Sequence, residues 1–211
     1  MRKRILLAAA AGLAMSLVGA GADPAAAQSR TTLDIYVVDV EGGNATLFVA
    51  PSGESVLIDT GNVAPEAARR DADRILAAAR DARLTQIDNL ITTHWHGDHF
   101  GGMAELDKRI PIRHFIDHGP NIQPQPAFDE FFAKGYPALY GKAKHTVAKP
   151  GDVIPVAGLD WRIVSAAGQV LKTPLAGAGA ATPGAAGTAA GAPSLAGAGA
   201  EGAALELSSS P

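Results

Sequence analysis

Four side chains that can bind a metal ion lie within six consecutive residues: His94, His96, Asp98 and His99. They follow an apolar run at residues 87–91, which is typical of a strand that ends at the site. On an extended backbone His94 and His96 point the same way, so both imidazoles can bind one metal, and Asp98 and His99 can turn toward a second. The spacing therefore predicts a dinuclear metal site in outline.

The chemistry expected of such a site is hydrolysis by metal-activated water. Asp98 is the predicted catalytic residue, because its carboxylate can both bind the second metal and orient the nucleophile. Histidine and aspartate ligands suit zinc, manganese and iron alike, so we expect two zinc ions without excluding the other two metals. The chain has no G-x-S-x-G motif and no cysteine, so the sequence indicates no serine or cysteine nucleophile.

Two segments carry a resemblance to a known family. Residues 93–102, Thr-His-Trp-His-Gly-Asp-His-Phe-Gly-Gly, resemble the H-x-H-x-D-H motif of the metallo-β-lactamase superfamily, and residues 57–61, Leu-Ile-Asp-Thr-Gly, are similar to its L-I-D-T-G strand end. Residues 39–45 and 93–102 look most similar to the branch of the superfamily that includes the hydrolase domain of DNA-uptake competence proteins. Glu41, Gly42 and Asn44 depart from the D-V-G-Q-G-D-A segment of that branch.

The resemblance implies a layered α/β fold, an αββα sandwich of two similar halves, with two metal ions at the histidine loop. It also implies that Asp59 supports this loop through hydrogen bonds, whereas the residues alone equally allow an aspartate that caps the turn before Thr60. The motif supplies two protein ligands to each metal, but a catalytic zinc normally has three. His118, just past a strand end, is therefore a possible extra ligand, ahead of His145 and His114.

Hydrophobic patterns predict the elements that position these residues. Alternating segments indicate an opening meander, and an amphipathic helix follows, with Pro65 in its first turn and its arginines on a solvated side. We expect strands at 33–39, 45–50, 55–59, 87–93 and 112–117, helices at 65–82, 102–109 and 127–134, and a closing strand pair at 153–156 and 159–164.

The N-terminal segment predicts export. Residues 1–27 combine a basic start, an apolar stretch at 5–22 and three alanines before Gln28, which is the pattern of a cleaved signal peptide. We therefore expect a periplasmic or secreted protein with no stable membrane association after cleavage. Since the chain lacks cysteine, its stability must come from a packed core or from metal rather than from disulfides.

The charge balance bears on the partner. Removing residues 1–27 leaves five more acidic than basic residues, so nothing in the net charge attracts nucleic acid phosphates. The expected partner is a small-molecule or phosphodiester substrate, and nucleic acid is disfavoured.

The last 36 residues, 176–211, contain 14 alanines and 8 glycines and no aromatic side chain, so they cannot bury enough apolar surface to offset their ordering entropy. We expect a disordered tail there and a partial metallo-β-lactamase-like domain at 28–175. Only the N-terminal half of the sandwich is visible, so a truncation, with a frameshift near Gly177, is expected. One inner sheet face, carrying residues such as Val38, Leu47, Leu57, Ile58 and Ile91, would then be open.

Three functions fit these observations. The first is an exported metal-dependent hydrolase that acts on an ester, phosphodiester or lactam bond. The second is a truncated and catalytically inactive derivative of such an enzyme. The third is a non-enzymatic zinc-binding export protein.

Overall fold

A computed structural model describes residues 30–123 and 125–175 of the chain. The predicted signal peptide at 1–27 and the predicted tail at 176–211 lie outside the described residues. The chain divides into two units at Leu171, and the described part of the second is residues 172–175 alone. Within the described ranges, no helix has both the length and the apolar character needed to cross a bilayer.

One six-stranded sheet organises the described chain, in the order β1-β2-β3-β4-β5-β6. The first three strands are antiparallel and β3 to β6 run parallel. The carboxyl ends of the four parallel strands therefore meet at one edge, which collects the loops that follow them. The bounds are β1 Asp34–Val37, β2 Thr46–Val49, β3 Ser55–Ile58, β4 Asn89–Ile91, β5 His114–Asp117 and β6 Lys144–Val147.

Helices pack on one face of this sheet. The predicted amphipathic helix is present as α1, Pro65–Asp81, and its buried positions include Ala72, Ile75 and Leu76. Two short helices follow β4, namely α2 Gly97–Phe100 and α3 Met103–Asp107. The fully buried side chains on this face give the largest apolar core of the described residues, so the α/β class is confirmed.

The region between β5 and β6 is helical where predicted, but the helix is longer and irregular. The helix expected at 127–134 lies within a continuous helical segment at 126–140, made of a 3-10 turn at Pro126–Phe128, a π-helical turn at Phe131–Gly135 and α4 at Tyr136–Tyr140. Pro137, which has no N–H to donate, lies in the first turn of α4, where that N–H is least needed. Strand β6 was not predicted, because an edge strand that is half exposed carries little apolar pattern.

The second sheet face is partly covered by the predicted closing pair, β7 Val153–Ile154 and β8 Trp161–Arg162, which are antiparallel. A further hairpin of β9 Ser165–Ala166 and β10 Gln169–Val170 follows. The expected open face was partly wrong: Leu47 and Leu57 are fully buried on the helical side, where Val38 also packs. Ile58 and Ile91 do lie on the second face, where they are partly buried in the cluster that includes Ile154 of β7 and Trp161 of β8.

The burial of side chains in the sheet predicts that two strand substitutions differ widely in their effect on the free energy of unfolding. Leu57 is fully buried between Leu47 and Leu90, whereas Ile35 on the edge strand is 55% exposed. Leu57→Ala should lower the free energy of unfolding by about 2–5 kcal/mol because it leaves a cavity. Ile35→Ala, the matched control, should change it by less than about 1 kcal/mol. Urea unfolding of both variants checks this, and equal losses would contradict the assignment of the two faces.

Candidate metal centre

The loop after β4 brings His94 and His96 together. His94 Nε2 lies 3.0 Å from His96 Nδ1, and the ring centroids are 4.5 Å apart. Two nitrogens bound to one tetrahedral zinc at its usual bond lengths lie about 3.4 Å apart, so this spacing is close to that of a ligand pair. Trp95, between them in sequence, points the other way and is 4% exposed, with its indole N–H donating to Gly119 O.

Hydrogen bonds fix the tautomers of both rings. Thr93 Oγ1 gives its proton to the carboxylate of Asp59, so it accepts from His94 Nδ1 at 3.1 Å, and His94 Nε2 keeps its lone pair. His96 Nε2 donates to Gln123 Oε1, so His96 Nδ1 also keeps its lone pair. Two lone pairs that face each other repel unless a cation or proton lies between them. The 3.0 Å contact therefore holds either a shared proton or, with a small increase in spacing, one cation between the two rings.

His99 and Asp98 form a second pair. His99 Nδ1 is 2.8 Å from Asp59 Oδ2, to which it donates, so His99 Nε2 carries the free lone pair. That nitrogen is 3.8 Å from Asp98 Oδ2, and the Asp98 side chain is 45% exposed. The rings of His94 and His99 are 4.0 Å apart, so the two pairs are adjacent.

Asp59 connects three parts of the site from a buried position, with 1% exposure. It stands just past β3 at φ 61°, a left-handed conformation that aspartate tolerates better than most residues. Its Oδ1 accepts from Thr93 N at 2.8 Å, and its Oδ2 accepts from Thr93 Oγ1, His99 Nδ1 and Asn44 Nδ2. None of these bonds caps its own turn, so the contacts match the bracing interpretation.

Close backbone packing holds the histidine loop against the end of β3. Thr60 N donates to His99 O at 2.7 Å, and Gly101 N donates to Gly61 O at 2.9 Å. A Cβ on Gly101 would meet Asn62 at 2.0 Å, and one on Gly102 would meet Thr60 O at 2.2 Å. The two glycines that follow the motif are thus required by the close approach of these segments.

Sequence reasoning missed three residues of this site: Thr93, Asn44 and Gln123. A threonine beside the first histidine, at a strand end, was a local signal for Thr93. In the sequence Asn44 stands out only as a departure from the family segment, whereas in the structure its Nδ2 donates to Asp59 Oδ2 and to Ile58 O. Glu41, another departure, pairs with Arg70 and Arg74, so that side of α1 is not simply solvated.

Burial lowers the pKa of His94, and the neighbouring imidazoles of His99 and His96 lower it further. The neutral ring is the form that binds a metal, so this environment favours ligation. The effect is distinct from that at His114, where burial lowers the pKa to about 4 in a ring already bonded to Asn89 and Thr146.

The other histidines lie apart from the motif. His114 is a buried core residue with both ring nitrogens bonded. His145 bonds to Asp117, and His118 lies beside Trp95 with ring centroids 6.2 Å apart. His118 also lines a cavity with Thr92 and Thr93, and its role as an extra ligand stays a prediction.

The donor chemistry fits zinc, with one pair at His94 and His96 and another at Asp98 and His99. Within residues 30–123 and 125–175, no three histidine, aspartate or glutamate side chains are grouped so that they could hold one ion. Each pair therefore needs donors beyond those of the motif, from water, substrate or protein.

Comparison with known proteins identifies one family whose model matches this chain. The model of the metallo-beta-lactamase superfamily matches residues 38–185, more than half of the 211 residues. An atrochrysone carboxyl ACP thioesterase of Aspergillus terreus is 34% identical over 89 residues, covering 41% of this chain and 26% of the relative. A hydroxyacylglutathione hydrolase of Xanthomonas campestris pv. campestris is 28% identical over 122 residues, covering 58% and 37%.

Among solved structures, a subclass B3 metallo-beta-lactamase from a soil metagenome library, MEM-A1, aligns with a TM-score of 0.39 and 22% identity. The alignment covers 59% of this chain and 46% of that one. The chain thus spans about a quarter to two fifths of the length of the two curated relatives it matches.

The position of Asp59 predicts its effect on metal binding. Asp59→Asn should weaken zinc binding by about 10–100-fold, because His99 loses the carboxylate that orients it. Asp88→Asn is the matched control: Asp88 also accepts from a backbone N–H and a hydroxyl, both of Ser55, but away from the histidines. Competition with a zinc-chelating dye measures both affinities. An unchanged affinity in folded Asp59→Asn would contradict the bracing role.

Proposed function

We propose that this chain, which belongs to the metallo-β-lactamase superfamily, is an exported metal-dependent hydrolase in which water attacks an ester, phosphodiester or lactam bond. The observation that carries the proposal is the His94–His96 pair, whose ring nitrogens Nε2 and Nδ1 lie 3.0 Å apart. This spacing is close to that of two imidazoles that share one metal ion, and zinc is the first metal to test.

Each residue of the loop has a role in this proposal. Zinc, when bound, acts as a Lewis acid that polarises the scissile bond and makes water a nucleophile near neutral pH. His94 and His96 hold one ion, and Asp98 and His99 hold the other. The Asp98 carboxylate, 45% exposed, also accepts a hydrogen bond from the attacking water and orients it. Asp59 keeps the His99 ring in the tautomer that leaves Nε2 available.

A thioester is the first substrate class to test. The relatives include a protein named as an ACP thioesterase and another named as a hydroxyacylglutathione hydrolase. A thioester carbonyl is an acyl centre of the kind that metal-activated water attacks, and it needs no protein nucleophile. Phosphodiester and lactam substrates complete the panel, and manganese and iron are compared with zinc.

We expect Asp98→Ala and His96→Ala each to reduce turnover of the best substrate by at least about 100-fold, because each removes a predicted metal ligand. Folded content should change little, since both side chains lie on a loop at the sheet edge. Turnover and bound zinc are measured on the same preparations, with circular dichroism as the check of folding.

Asp160→Ala is the matched control, since this exposed carboxylate lies on the β7–β8 hairpin and pairs only with Arg162 among the described residues. Normal turnover in Asp98→Ala would refute the site. Bound zinc without turnover of any substrate would identify a non-enzymatic zinc-binding protein, and neither zinc nor turnover would identify an inactive derivative.

Export is the second part of the proposal. We expect a mature N-terminus at Gln28, because the small residues Ala25, Ala26 and Ala27 precede it. Mass-spectrometric sequencing of the periplasmic and extracellular fractions measures the N-terminus directly. Recovery of only Met1-containing protein in the cytoplasm would overturn this part and leave the hydrolase proposal intact.

A further inference from the structure

A second cavity lies on the helical side of the sheet edge and adjoins the histidine loop through Trp95 and Gln123. Its volume is about 710 Å³, within the range of small-molecule sites. Four aromatic side chains contribute to its wall: Trp95, Phe132, Tyr136 and Tyr140. We call it the aromatic cavity. Such walls favour a planar ring, which buries apolar surface and packs edge-on or offset against the aromatic faces.

Asp117 is a buried polar residue in this wall, and its hydrogen bonds fix its role as an acceptor. Asp117, at the end of β5, is 3% exposed and accepts from Tyr136 OH at 2.7 Å and from Gly119 N at 2.6 Å. Its Oδ2 is also 2.7 Å from His145 Nε2. Burial raises the pKa of Tyr136, and the Asp117 carboxylate raises it further, so the hydroxyl stays protonated as a donor. Asp117 is therefore an acceptor, and His145 carries its proton on Nε2.

No hydrogen bond joins His145 Nδ1 to another of the described residues, and this nitrogen is an acceptor when the ring is neutral. The imidazole is clamped, because Tyr140 stacks on it with centroids 4.0 Å apart at 11° and Tyr136 meets it edge-on at 5.7 Å. Its side chain is 25% exposed and lines the aromatic cavity. A carboxylate that orients a histidine, so that the other ring nitrogen faces a ligand, is a recurrent arrangement in functional sites.

The charge of the wall restricts the ligand further. Among the described residues that line the aromatic cavity none is lysine or arginine, and two are aspartates, Asp117 and Asp129. An anionic ligand would therefore meet like charge with no compensating cation. A neutral ligand that donates a hydrogen bond is the complement of this wall.

The aromatic cavity is distinct from the metal centre. None of the four motif ligands is among the described residues that line it, and Trp95 points into it because it alternates with His94 and His96. Gln123 and Gln125 lie at the boundary: Gln123 accepts from His96, and Gln125 donates to Trp95 O at 2.7 Å.

We propose that the aromatic cavity binds a neutral, ring-containing small molecule whose hydroxyl or N–H group donates a hydrogen bond to His145 Nδ1. The ring packs among Trp95, Phe132 and Tyr140, and Asp117 holds the imidazole in the accepting tautomer. This binding site goes beyond the hydrolase proposal and does not depend on it.

Calorimetric titration of the full chain tests the proposal with three related probes. 4-Methylphenol has the ring and the donor, 4-methylanisole has the ring without the donor, and benzoate is the anion. We expect saturable binding of 4-methylphenol that is roughly three- to tenfold tighter than that of 4-methylanisole, the worth of one hydrogen bond. Benzoate should bind weakest. Each titration is run with zinc and with EDTA, and equal affinities are expected.

Two variants locate the contact. His145→Phe keeps a ring on Tyr140 but removes Nδ1, so it should bind 4-methylphenol and 4-methylanisole equally. Tyr36→Phe is the control: Tyr36 lies in β1, away from the aromatic cavity, and loses only a hydroxyl that bonds to Asp81, so the preference should survive in it. The comparison of probes on the unmodified chain decides the question even if His145→Phe fails to fold.

Four results would overturn the proposal: no saturable binding of 4-methylphenol, equal binding of the two neutral probes to the unmodified chain, tighter binding of benzoate, or binding only with zinc. Loss of hydrolysis in the Asp98 variant bears on the hydrolase proposal alone, so the two proposals fail separately.

Discussion

The buried carboxylate of Asp59 is the interaction on which the candidate metal centre depends. It stands one residue beyond β3, in a left-handed conformation, and bonds to Thr93 at the end of β4 and to His99 in α2. A buried carboxylate is tolerated only when its oxygens are satisfied, so these bonds also hold two strand ends and a helix in one geometry. One proton pattern then follows: Thr93 gives its proton to Asp59 and accepts from His94. The states of two histidines are thus set by one aspartate.

The parallel half of the sheet explains why two clusters of polar chemistry lie near each other. The ends of β3 and β4 carry Asp59 and the histidine loop, and Asp117 ends β5. His145 lies within β6, in register with Phe115, and its ring reaches Asp117 on the neighbouring strand. Because Trp95 alternates with the metal-binding histidines, the loop presents imidazoles on one side and an aromatic wall on the other. In both clusters a buried aspartate fixes the tautomer of a histidine that keeps one nitrogen available.

Much of the fold could be predicted from patterns in the sequence. The opening meander, α1 and the strand before the histidine loop have strong apolar periodicity, and the structure confirms them with shorter bounds. In the segment 118–150 the helix at 127–134 is part of a longer irregular helix, and strand β6 could not be predicted because it has the weak pattern of an edge strand. The side of α1 with Arg70 and Arg74 was also misjudged, since their partner Glu41 lies about 30 residues earlier in the chain.

The sequence by itself determined which side chains share a face at the histidine loop, because alternation along an extended backbone is a local property. It also indicated that the strand before the loop is buried and that glycines follow the motif. Only the tertiary structure decided which nitrogen of each histidine is available. That choice depends on bonds from Asp59 to His99 and from Asp117 to His145, whose partners lie 40 and 28 residues apart. A proton on an imidazole is placed by the acceptor that it meets, and the fold alone brings these acceptors into reach.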